Sequence, residues 1–178
     1  IQAVGNVIAK KDSSSPRPKK EDALSELKKL GDDYLRIWVA DKTERIRQKN
    51  ECAKEMFDYA INYGINKEEI LEEASKTSHE ALIITLANFI LAFPDKGDIE
   101  NLMRVATQAA RWHVQYRIVQ AFGELFSRGY ASTEDYEGVN SILKQYEKKG
   151  DQTLINQIKG TRTLIERIIK PLESASNK

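Results

Sequence analysis

The sequence predicts an all-α fold, and three observations carry that expectation. The segment Thr77 to Phe93, TSHEALIITLANFILAF, has no charge after Glu80 and is apolar on nearly every side of a helix, so it needs neighbours all round. Asp41, Asn66, Thr77 and Ser132 each stand three residues before an acidic side chain, the spacing at which two side chains satisfy orphan N–H groups of a helix start. The one strand-like stretch, YLRIWV at 34–39, has no second strand to pair with, and an unpaired strand would leave its backbone unsatisfied.

In chain order, residues 1–11 are weakly apolar and lead into DSSSPRPKK, which offers no amphipathic face. Residues 1–19 therefore read as a flexible arm or linker, with Lys10, Lys11, Arg17 and Lys19, together with Lys20 at its junction with the domain, able to meet a phosphate or an acidic partner. The helical domain is placed at 20–171. Ala23, Leu24, Leu27 and Leu30 give a short amphipathic helix, expected to stop at Gly31 with Asp32 capping the next segment. From Asp33 the reading is helical throughout, broken or kinked near Ala40, where Asp41 and Glu44 offer a new start. The second half of that region buries Ile46, Ala53, Met56, Phe57 and Ala60.

Gly64 marks a turn, and Asn66 with Glu69 caps a short helix carrying Ile70, Leu71 and Ala74. The central helix comes next, started by Thr77 with Glu80 and ended by Pro94. Asp98 is expected to cap a helix with Ile99, Leu102, Met103 and Ala106, and Trp112 to Ser127 forms the next one. Ser132 and Asp135 cap a helix burying Tyr136, Val139, Ile142, Leu143 and Tyr146. The last helix, 151–170, buries Leu154, Ile158, Thr161, Ile165, Ile168 and Ile169, and 172–178 form a polar tail after Pro171. About seven to nine helices result.

Composition bounds the function. With 28 Lys and Arg against 27 Asp and Glu in 178 residues, the formal net charge of +1 argues against a strongly basic nucleic-acid binder by bulk charge, although a local patch can hide in a balanced total. Cys52 is the single cysteine, so no intrachain disulfide can form, and a reducing, cytoplasmic compartment is the expectation. The uncharged run Ala81 to Phe93 falls short of the roughly 20 apolar residues that span a bilayer, so no membrane association is expected. No segment has the pattern of a signal peptide, while the start at Ile1 fits a processed or partial chain.

A repeat organises the middle of the chain. EMFDYAINYGINKEEILEEA, NFILAFPDKGDIENLMRVA and AFGELFSRGYASTEDYEGVNSIL share an aromatic near a helix end, a turn, a capped start and a shorter amphipathic helix. Phe57, Phe89 and Phe122 mark the register at separations of 32 and 33 residues, within the range of helical solenoid units that must stack to bury their apolar faces. Val114 to Leu125, VQYRIVQAFGEL, resembles the first helix of a HEAT-like repeat, with Val114, Ile118, Ala121, Phe122, Gly123 and Leu125 in the matching positions. Arg111 stands where that family usually has aspartate and Gln115 where it has arginine, so the ladder these residues make between repeats is not expected here. The resemblance implies a short right-handed α-solenoid of antiparallel helix pairs. Such proteins mostly bind other macromolecules, and some, including DNA glycosylases acting on alkylated bases, bind nucleic acid.

The same resemblance puts the shorter helices on the concave surface, which makes their polar positions the best guess at a binding face: Glu72 and Glu73, then the candidate partner-binding residues Asn101 and Arg104, then Asn140, Lys144 and Lys148, with Arg162 adding to a basic C-terminal end. Trp112 and Tyr116, flanked by Arg111, His113 and Arg117, either pack between neighbouring repeats or hold a base or a partner side chain. Chemistry finds little support. His79 and His113 have no cysteine or carboxylate at metal-ligand spacing, and there is no glycine-rich phosphate loop or nucleophile elbow, so no catalytic residue, metal or cofactor is assigned. The expected function is a non-enzymatic module that holds another protein or another domain of its parent chain. The alternative is a nucleic-acid-binding HEAT-like domain using the basic C-terminal end.

Overall fold

The computed structural model describes residues 20–176, with side chains over 21–170; the expected arm at 1–19 lies outside the described residues. All regular structure among them is helical: α1 (Lys20–Arg36), α2 (Lys42–Tyr63), α3 (Lys67–Thr77), α4 (Glu80–Ala92), α5 (Asp98–Ala106), α6 (Trp112–Ser127), α7 (Thr133–Glu147) and α8 (Gln152–Ser176). The fold is all-α. No described helix is long and apolar enough to cross a membrane.

Helix α4 is the hub. Every residue from Glu80 to Ala87 is buried, as are Phe89 and Ile90, and the helix packs on α1, α2, α3, α5 and α6. A helix that is apolar all round can be stable in water only with such enclosure. Its buried hydroxyl is satisfied within the helix, Thr85 Oγ1 donating to Ala81 O at 2.8 Å. Helix α6 is the second hub, packed on α4, α5, α7 and α8. Contacts run in order along one row, α2 to α4 to α6 to α8, and along another, α3 to α5 to α7. Between the rows α3 packs on α4, α5 on α6 and α7 on α8, while α1, in neither row, packs on α2 and α4.

The helix starts expected at Asn66 with Glu69 and at Ser132 with Asp135 are complete capping boxes. Asp41 accepts from Glu44 N at 2.7 Å, but the Glu44 carboxylate turns to Arg47 and Gln48 instead of closing the box. Gly64 ends α2 with φ 69°, and Ile65 N reaches Ala60 O at 2.9 Å. Gly129 after α6, at φ 71°, sits in the same kind of turn, closed by Tyr130 N to Leu125 O at 2.9 Å.

Several expectations are corrected. Gly31 does not stop α1, which runs on to Arg36. A methyl group at position 31 would lie 2.7 Å from Ala81 Cβ and 2.9 Å from His79 Cε1, so this glycine serves the close approach of α1 to the start of α4. Asp32, rather than capping a helix, lies 3.3 Å from His79 Nε2. The YLRIWV stretch is helical only as far as Arg36, and residues 37–41 connect two separate helices. Asp98 is not the cap of α5 but its first residue, behind Gly97; its Oδ2 accepts from Asp95 N at 2.9 Å and Lys67 Nζ at 2.7 Å, tying α3 to the α4–α5 loop. Beyond Pro171, where a polar tail was expected, α8 continues to Ser176.

The last correction concerns Thr77 and Glu80. Thr77 belongs to α3, its hydroxyl donating to Glu73 O at 2.7 Å, and Ser78 makes the turn with φ 53°. Glu80 is freed to reach out of its own helix: its Oε1 accepts from Ala110 N at 2.6 Å and Arg111 N at 2.7 Å, and its Oε2 from Arg111 Nη1 at 2.6 Å. One buried carboxylate thereby satisfies the backbone entering α6 and fixes the start of α6 to the start of α4.

This packing sets two expectations for stability. Phe122, fully buried at the α6 core, replaced by Ala should cost about 3–5 kcal/mol. Glu80→Ala leaves two backbone N–H groups and a guanidinium without their acceptor and should cost about 2–4 kcal/mol. Urea denaturation midpoints check both, and a Glu80→Ala midpoint equal to that of the parent would show that the α5–α6 loop finds other acceptors.

Candidate functional site

Because α2 and α6 both pack on α4, a groove runs between them over one face of α4. Its floor is Ile84, Asn88 and Leu91, spaced as one helical stripe. One end is a pocket of about 310 Å³. Helix α2 contributes Arg45, Ile46, Lys49 and Asn50, helix α6 contributes Trp112, His113, Tyr116, Arg117 and Gln120, and Tyr34 and Thr153 complete the wall. Past Asn50 and Arg117, which meet at 3.5 Å across the groove, a second hollow of about 440 Å³ is lined by Lys54, Phe57, Leu91 and Ala92.

The pocket holds three cations and no carboxylate among its lining residues. Lys49 is 8 % exposed; its Nζ donates to Tyr34 O at 3.0 Å and lies 4.5 Å from the centre of the Tyr34 ring. Burial, and then the charges of Arg111 and Arg45, push its ammonium down to about 8. Arg45 donates to Val39 O at 3.2 Å and stacks 4.8 Å from the ring centre of Trp38, a side chain that is 78 % exposed. Arg117 donates to Gln120 Oε1 at 3.1 Å. Two buried polar atoms of the lining have no hydrogen-bond partner among the described residues, Tyr34 Oη and His113 Nε2. The two rings meet edge to face at 5.2 Å. Burial pushes the Tyr34 phenol well above its ordinary range, and burial with Lys49, Arg111 and Arg45 pushes the His113 imidazole down to about 3. At neutral pH both are uncharged hydrogen-bonding groups inside a positive pocket.

The candidate residues read from the sequence fall in separate places. Trp112 and Tyr116 stand side by side in the pocket wall with His113 and Arg117. Arg111 is engaged by Glu80, and Lys42 lies 5.8 Å over the Trp112 ring. Asn101 and Arg104 lie on α5, Asn140 and Lys144 on α7, and Lys148 comes just after α7, all away from the pocket lining. Arg162 is committed to its neighbours on α7: Nε donates to Asn140 Oδ1 at 3.0 Å, and Nη1 and Nη2 donate to the two Glu147 oxygens at 2.9 and 3.1 Å. Both Arg162 and Asn140 thus act as a clasp between α7 and α8.

Sequence reading missed Tyr34, Arg45 and Lys49. A signal existed: Lys49 interrupts the stripe Ile46, Ala53, Met56 and Ala60, a cation at a position where helical spacing calls for an apolar side chain. Cys52, one turn along, is no candidate nucleophile; burial pushes its thiol up to about 11, which leaves it protonated at neutral pH. Among the described residues no group of three His, Cys, Asp or Glu side chains is placed to hold a metal ion. The groove can therefore bind and orient a ligand by charge, aromatic contact and hydrogen bonds. No family model, curated protein or solved structure matches the chain.

The state of His113 gives a pH signature. An unfolded imidazole protonates near 6.5, whereas the folded protein keeps His113 neutral down to about 3. Its contribution is fully present above pH 6.5 and is lost as the pH falls from there toward 3, because the unfolded chain takes up the proton first. His113→Phe should lack this component. Denaturation midpoints at pH 7 and pH 5 should fall further for the parent than for His113→Phe, and equal falls would place an ordinary imidazole at this position.

Proposed function

We propose that the chain is a non-enzymatic interaction module, a short right-handed α-solenoid of HEAT-like antiparallel pairs, which holds another protein or another domain of its parent chain. The helix contacts support this reading: helices of alternate position succeed one another in two rows, as stacked pairs would. The observation that carries it is the groove over α4, where apolar, aromatic and unneutralised cationic side chains line two adjoining hollows that share Asn50 and Arg117. Such a mixture of anchor pockets and charge is the usual make-up of an interaction surface. In this reading Trp112 and Tyr116 are the partner-binding residues of first rank, with Asn101, Arg104, Lys144 and Lys148 a separate polar surface on the other row.

The second reading, a nucleic-acid-binding domain of the same type, draws on the conjunction of Trp112 and Tyr116 with Arg45 and Arg117. It gains less from the C-terminal end than the charge pattern suggested, since Arg162 is neutralised by Glu147. A photo-crosslinking amino acid at Asn50, inside the groove, and at Glu137, exposed on α7, separates the two in an extract of cells that make the parent chain. The expected result is a discrete protease-sensitive adduct from position 50 that survives nuclease and is absent from position 137. An adduct at position 50 that nuclease removes would overturn the reading in favour of nucleic acid.

A further inference from the structure

Around the pocket, cations are matched by carboxylates with three exceptions. Arg47 is held by Glu44 and Glu51, Lys54 by Asp58, Lys42 by Asp151 and Arg111 by Glu80. Arg45, Lys49 and Arg117 have no carboxylate partner among the described residues, and these are the three cations that face the pocket. Concentrating like charge in a partly enclosed space costs free energy that an incoming anion offsets. Polar groups that could meet an anion lie in the same wall. A carboxylate offers about four lone-pair sites, and the Lys49 ammonium, the Tyr34 hydroxyl and the His113 imidazole belong to side chains lining the same wall, the last two with no present partner.

We infer that the pocket receives a single carboxylate of the partner protein, from an acidic or chain-terminal residue whose neighbouring apolar side chain lies against Trp112 and Tyr116. This deepens the reading of the groove as a protein-binding face and rests on it. The extent of the positive charge favours a lone carboxylate over a polyanion. Beyond Arg117 the groove is lined by Phe57, Leu91 and Ala92, and its further cation, Lys54, is already paired with Asp58. A nucleic-acid backbone needs a basic track along its length, whereas a peptide carrying one carboxylate and an apolar continuation matches the pocket and then the groove. The pocket's size, about 310 Å³, is at the small end for ligand sites and suits one residue-sized group.

The test uses the described chain with Trp38→Phe, which leaves Trp112 as the one tryptophan of the two in the sequence. Its fluorescence is titrated with N-acetylphenylalanine, with the corresponding amide, and with a decathymidylate. The carboxylate should bind in the range of about 1–10 mM and the uncharged amide about tenfold more weakly, a tenfold ratio being the modest end of what one charge-assisted contact confers. Arg117→Gln should erase most of that discrimination, and Lys49→Met should do the same if it keeps the parent's circular dichroism. Equal binding of acid and amide, discrimination unchanged in Arg117→Gln, no response to the carboxylate, or oligonucleotide binding that outcompetes it would each overturn the inference. A nuclease-resistant protein adduct at position 50 together with equal binding of acid and amide would sink the carboxylate site alone. Carboxylate discrimination without any protein adduct would sink the module reading alone.

Discussion

The structure depends on the enclosure of one helix. An apolar helix with no wet face must be surrounded, and α4 takes five neighbours to achieve this. Covering it constrains where the others lie. Gly31 lets α1 come close at the start of α4, Lys67 fastens α3 through Asp95 and Asp98 to the loop after α4, and Glu80 pins the beginning of α6. Helices α2 and α6 then flank α4 instead of covering it completely, and the strip of α4 between them becomes the floor of a groove. The candidate site is therefore a by-product of how the core is closed.

Electrostatics distinguishes this groove from the rest of the surface. Many ion pairs among the described residues are exposed and join side chains three or four apart on one helix, a kind worth little to stability. Lys49 is different, since it is buried against the Tyr34 ring and backbone with no counter-charge close enough to form an ion pair. Keeping a cation in such a place, beside Arg45 and Arg117, is electrostatically unfavourable, and the carboxylate proposed for the pocket would offset that cost. Arg162 shows the contrast: its charge is equally central to a helix interface, but Glu147 satisfies it, and nothing is left over to bind.

Much of this was legible in the residues. The run from Ala81 to Ile90 announced a buried helix because helical spacing put an apolar side chain on every face, and the boxes at Asn66 and Ser132 announced starts because the chemistry is local. What was not legible is non-local. Gly31 reads as a stop until its neighbour Ala81 is known, and Glu80 reads as half of a box with Thr77 until Ala110 and Arg111 come within reach of it. The pocket needed both kinds of information. Trp112 and Tyr116 were visible as an aromatic pair on one helix, while Tyr34 and Lys49 lie on other helices and join them only through the packing on α4.

Native-state hydrogen exchange of the α4 amides tests the central claim, that enclosure of this helix holds the fold and the groove together. If the account is right, the amides from Ile83 to Ile90 exchange last in the molecule, with opening free energies equal to that of global unfolding. If they exchange through openings as cheap as those of α1 or the C-terminal half of α8, while other helices stay protected, α4 is not the element on which the structure rests.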